Sequence, residues 1–146
     1  MKQSFLIFTI TFLMSGFYVN GQNWTTDTLS WGNKLFITEL PDNFKRSTNN
    51  YTEGVFLHYI FPDSSMVTIF HGWNAAVSLY KQGNFDTLKV NSNVYSGRIR
   101  PTDKLWKAVR KSDNLIYWYN LVPSEQEQTF DRVLKSFELK TERKGG

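Results

Sequence analysis

The 146-residue chain has no cysteine, only two histidines and only four prolines. Without cysteine there is no disulfide framework, thiol nucleophile, iron–sulfur cluster, cysteine-ligated zinc or lipid-modified cysteine. No apolar run approaches the roughly 20 residues that a membrane-spanning helix needs. A Gly-x-Ser-x-Gly elbow is missing. Gly54, Gly72, Gly83 and Gly97 are isolated, so no phosphate-binding loop is present. Repeats, low-complexity blocks and long linkers are missing too, which at this length predicts one domain. What the chain does have is a 40% hydrophobic content, enough to argue against disorder, 16% aromatic residues and a formal charge of +4.

The first 21 residues read as an address. Lys2 supplies a positive start, and Phe5 to Met14 is a ten-residue run broken only by two threonines. Val19-Asn20-Gly21 then places small residues before a cut at Gln22, the order of a secretory signal. The expectation is a cleaved signal at 1–21, a single domain at 22–139 and a flexible polar tail at 140–146. The mature chain then has no transmembrane span and is periplasmic or secreted. A cysteine-free exported domain suits a bacterial envelope. Cleavage leaves 16 basic against 13 acidic residues and keeps all five tryptophans.

Along the mature chain, 22–33 reads as a lead-in segment or edge strand. Lys34 to Leu40 reads as a strand ended by Pro41, and the polar stretch 45–53 as a loop. Val55 to Phe61 and Met66 to His71 are β-branched and aromatic runs separated by Pro62-Asp63-Ser64-Ser65, which predicts a hairpin. Asn74 to Gln82 could form one or two helical turns, and 84–93 is a loop or short strand. Three further strands follow at Val94–Ile99, Leu105–Arg110 and Leu115–Val122. Phe130, Val133, Leu134 and Phe137 make one apolar helical stripe, and Ser124 with Glu127 has capping-box spacing. The predicted fold class is α+β: an antiparallel sheet of five or six strands with a C-terminal helix packed on one face.

Two segments resemble the Mog1/PsbP-like superfamily. One is the strand and Leu-Pro corner from Phe36 to Phe44. The other is Tyr117, Tyr119 and Asn120 leading to Phe130-Asp131-Arg132-Val133-Leu134-Lys135-Ser136-Phe137. The middle of the chain is unmatched. The resemblance implies an antiparallel sheet flanked by helices and a protein that binds other proteins; it carries over no catalytic residue.

The candidate site residues fall into three groups. A turn centred on Asp63-Ser64 pairs Phe61 with Met66, and so His58 with Ile69 and Phe56 with His71. Both histidines then share one face, which opens the alternative of a two-histidine metal site in a hydrolase. Catalytic zinc usually takes three protein ligands, and no Asp or Glu alternates onto that face. A one-residue shift of register would separate the pair. The carboxylates Glu125, Glu127 and Asp131 sit near the helix start and suit its dipole better than a glycosidase pair.

The second group is basic. Arg98, Arg100, Lys104, Lys107, Arg110 and Lys111 are opposed only by Asp103 between 98 and 111. With Trp106 they suggest a docking patch for an anionic partner. The competing reading is a solvated face or a lysine-guarded edge strand. The third group is aromatic: Trp24, Trp31, Trp73, Trp106, Trp118, Tyr117 and Tyr119 could line a sugar-binding surface, though packing is the expected role of most. The function expected from all this is an exported, non-catalytic binding domain without cofactor or metal. It meets a protein partner or an anionic envelope component, not nucleic acid. An immunity-type inhibitor of a toxin is one concrete form.

Overall fold

The computed structural model describes residues 21–73 and 89–141. These form β1 (Trp24–Trp31), β2 (Lys34–Pro41), β3 (Lys45–Tyr51), β4 (Gly54–Ile60), β5 (Met66–Gly72), β6 (Lys89–Asn91), β7 (Val94–Ile99), β8 (Lys104–Ser112) and β9 (Leu115–Val122). A 3-10 turn (Ser124–Gln126), α1 (Glu127–Ser136) and β10 (Glu138–Thr141) complete the order. β1, β2 and β10 make a three-stranded sheet; the other seven run β3-β4-β5-β9-β8-β7-β6, every pair antiparallel.

The α+β expectation is therefore overturned. Of the described residues 63% are in strands and 12% helical, so the fold is mostly β with one short helix. Two misread segments account for much of the difference. Residues 45–51 have no apolar residue before Tyr51, yet they form edge strand β3, held by its backbone ladder to β4. An edge strand open to water can be polar throughout, so its sequence looks like a loop. Lys140 and Thr141, expected in the frayed tail, belong to β10 and pair with Leu35 and Lys34. The helical turns expected at 74–82 and the signal at 1–21 lie outside the described residues, apart from Gly21.

The large sheet is apolar on both faces. Leu57, Tyr59, Val67, Ile69, Tyr117 and Tyr119 point inward, against Phe36 and Leu40 of β2 and Phe130, Val133 and Leu134 of α1. Phe70, Trp106, Ala108, Ile116 and Trp118 form a second cluster on the other face. Central β9 is buried on both sides, which explains the unbroken apolar run Leu115 to Tyr119. Phe130, Val133 and Leu134 of the predicted stripe are buried on α1, while Phe137 lies just past the helix end, half-buried against the same core, and the capping box does not form. Ser124 opens the 3-10 turn instead, and the helix starts after Gln126 without a side-chain cap. Ser136 anchors the other end of the helix: its Oγ accepts from the Glu39 backbone N–H at 2.9 Å.

Candidate functional site

The basic stretch does not form one surface. Strand alternation splits it. Trp106 is 3% exposed and packs with Ala108, Tyr95 and Ile99 on the outer face. Lys107 points inward toward the helix. Its Nζ lies 2.7 Å from both carboxylate oxygens of Asp131 and 4.0 Å from Glu127. Arg110 closes on Asp113 at 2.7 Å across the β8–β9 turn. Arg100 and Lys111 are exposed in turn and strand-end positions, and Lys104 is half-buried at the start of β8. The hot-spot role expected for Trp106 thus gives way to a packing role.

One subset does converge. The register aligns Lys89 with Ser96, Ser96 with Lys107, Lys107 with Tyr119, Tyr119 with Val67, Val67 with Tyr59 and Tyr59 with Arg46. This single row crosses all seven strands on the inner face. Two tyrosine–aspartate–cation groups sit along it. Tyr119 donates to Asp131 at 3.2 Å beside Lys107, and Tyr59 donates to Asp27 at 2.8 Å beside Arg46. Burial first, and the neighbouring carboxylates second, push both phenols well above their ordinary range.

Beyond the first of these groups, toward the β6 edge, lies a cleft of about 330 Å³ lined by Lys89, Arg98, Leu105, Tyr119 and Glu127. Lys89 and Arg98 make no ion pair or side-chain hydrogen bond among the described residues. Three cations (Lys89, Arg98, Lys107) and two carboxylates (Glu127, Asp131) leave a net positive charge of one in and around the cleft. Of the seven basic-stretch residues, Arg98 and Trp106 line it and Lys107 stands behind it. Lys89 escapes sequence reasoning, and Tyr119 and Asp131 are visible only as an aromatic and a helix-start carboxylate, because their meeting depends on register across four strands and on the seat of the helix.

The histidines are separated. The hairpin register pairs Ile60 with Met66, one residue from the expected alignment. Its cause is a loop in which Phe61 pairs with Ser65, the Phe61 N–H donating to the Ser65 carbonyl at 2.9 Å, with Ser64 at φ 71°. His58 therefore pairs with Thr68 and lies on the outer face, stacked beside Phe56. His71 pairs with Val55 and lies on the inner face, edge-on to Trp31 and Phe36. Burial lowers both imidazole pKa values, with Lys34 adding to the effect at His71. On opposite faces the two cannot share one ion, which removes the two-histidine metal site. Among the described residues no three histidine or carboxylate side chains gather closely enough to hold a metal. Nor is any helix among them long and apolar enough to cross a membrane.

No protein-family model, curated protein or solved structure matches the chain, so the geometry alone carries a functional reading.

Proposed function

We propose that the chain is an exported, non-catalytic binding domain that recognises an anionic group, a carboxylate or phosphate carried by an envelope component or a partner protein. The observation that carries this reading is the β6–β7 cleft. Its two cations, Lys89 and Arg98, are uncommitted, while Lys107 behind them is already neutralised by the helix. A guanidinium offers a planar fork to a carboxylate or phosphate, and an ammonium adds a point charge. Glu127 on the helix side repels an anion and so directs it toward the sheet edge. Arg100, Lys104 and Lys111 lie outside the cleft and act at longer range, drawing an anionic partner in.

Charge reversal at Lys89 and Arg98 tests this in the 22–146 chain. The Lys89→Glu/Arg98→Glu variant should lose capture from an envelope extract by roughly tenfold or more, as expected for charge-assisted contacts. Its circular dichroism should match the wild type, since both side chains are surface-exposed. Phosphatidylglycerol vesicles form one arm and the vesicle-free protein fraction the other, which separates a lipid source from a protein source. Undiminished capture in both arms removes the cleft from the account.

A further inference from the structure

Four segments meet at one end of the molecule. They are the β1–β2 turn after Trp31, the β3–β4 turn at Thr52-Glu53, the end of β5 at Gly72-Trp73, and Asn114 in the β8–β9 turn. Two backbone hydrogen bonds tie the last three together, Gly72 N–H to the Asn114 carbonyl at 2.9 Å and Trp73 N–H to the Glu53 carbonyl at 2.7 Å, and Trp31 joins them edge-on to His71. Gly54 and Gly72 are paired in register, and the backbones pinch together there. A Cβ on Gly54 would lie 2.4 Å from the His71 carbonyl oxygen, and one on Gly72 would lie 2.2 Å from that of Glu53. Only glycine fits at either place.

Around this pinch lies a cleft of about 270 Å³, and its walls carry Trp31, Tyr51 and Trp73. These are 36%, 59% and 78% exposed, and they are all of the exposed large aromatic side chains among the described residues. Among the described residues most aromatics are buried or half-buried, so the exposed Trp31 and Trp73, with Tyr51 at the rim edge-on to Phe56, mark a binding surface. Polar groups are interleaved with them. Glu53 and Asn114 line the cleft. So does His71, whose Nδ1 is buried with no hydrogen-bond partner among the described residues.

We infer that this cleft binds a saccharide ring. A sugar presents an apolar C–H face and a rim of hydroxyls, which need aromatic platforms and a few fixed donors and acceptors side by side. The rings supply the first; Glu53 and Asn114 on the cleft wall supply the second. Aromatic residues around a carboxylate also suit an alkylammonium cation. Here the Lys34 charge reaches His71 on the cleft wall and lowers its pKa, which disfavours a second cation, so a neutral polyhydroxyl ligand fits better. The volume is just below the roughly 300 Å³ at which drug-sized pockets begin, and therefore suits one ring, not an extended chain. This site lies apart from the anion cleft and does not depend on it.

The test is titration of the 22–146 chain with N-acetylglucosamine, maltotriose, cellotriose and chitotriose, read by intrinsic fluorescence and calorimetry. Trp31 and Trp73 are the exposed tryptophans among the described residues, so a bound sugar should shield their emission from acrylamide. Affinity in the region of 1 mM is expected for a one-ring site. Trp73→Ala removes a ring that is mostly in water and should leave thermal unfolding unchanged while weakening binding about tenfold. Glu53→Gln, which keeps the shape, should weaken it less. If no member of the panel gives a saturable response with the wild type, the inference is overturned. It is also overturned if choline binds in their place, or if Trp73→Ala binds as tightly as the wild type.

Discussion

Raising the pH past about 10 should destabilise this domain through two particular tyrosines. Tyr59 and Tyr119 are each 1% exposed, and each phenol donates to a carboxylate, Asp27 and Asp131 respectively. To ionise in place, either would have to set a phenolate against that carboxylate in a site closed to water. The folded state therefore keeps two protons that the unfolded chain releases near pH 10. The sign follows: below that pH both states hold the protons and the tyrosines contribute no pH dependence. Above it, stability falls by about 1.4 kcal/mol per pH unit for each tyrosine. At about pH 11 the two together remove roughly 3 kcal/mol, a large share of the roughly 5–15 kcal/mol that holds a typical domain. Tyr117, whose phenol burial also raises, acts in the same direction. The assay is a series of urea unfolding midpoints from about pH 9 to about pH 11, with tyrosinate absorbance followed in parallel. Tyr59→Phe and Tyr119→Phe should each cost about 1 kcal/mol at neutral pH and flatten the alkaline slope. Tyrosinate absorbance that titrates fully near pH 10 while the circular dichroism stays native would refute the reasoning.

Two further outcomes are expected. Phe130→Ala should destabilise the domain by about 3–5 kcal/mol, because the ring is buried edge-on to Phe61 and Tyr119 between helix and sheet. A loss under about 1 kcal/mol in chemical denaturation would mean that the helix does not seal the core. On the acid side, His58 and His71 have lowered pKa values, so the unfolded chain takes up protons near pH 6.5 that the folded chain refuses. Stability should fall as the pH drops below that value, with screening by solvent keeping the effect of each half-exposed ring small. His58→Gln/His71→Gln should abolish the slope in urea midpoints, and an unchanged slope would assign it to other groups.

Strand runs such as Val55 to Ile60, Met66 to His71 and Leu115 to Val122, and the helical stripe of Phe130, Val133 and Leu134, could be read directly from the sequence. β-branched and aromatic content and a 3.6-residue apolar period are local properties. The cysteine-free composition likewise set, by itself, that no covalent staple holds the fold. The tertiary structure decided everything that depends on register and on partner layers. One extra pairing at the Phe61–Ser65 loop put His58 and His71 on opposite faces, because side chains in a strand alternate. Edge strand β3 is invisible in a polar sequence, since a backbone ladder needs no apolar side chain. Docking of α1 turned Lys107 from a docking residue into the partner of Asp131. Alternation buried Trp106 and left Arg98 beside Lys89. Trp31, Tyr51 and Trp73, far apart in the chain, meet only because four separate segments end on the same side of the sheets.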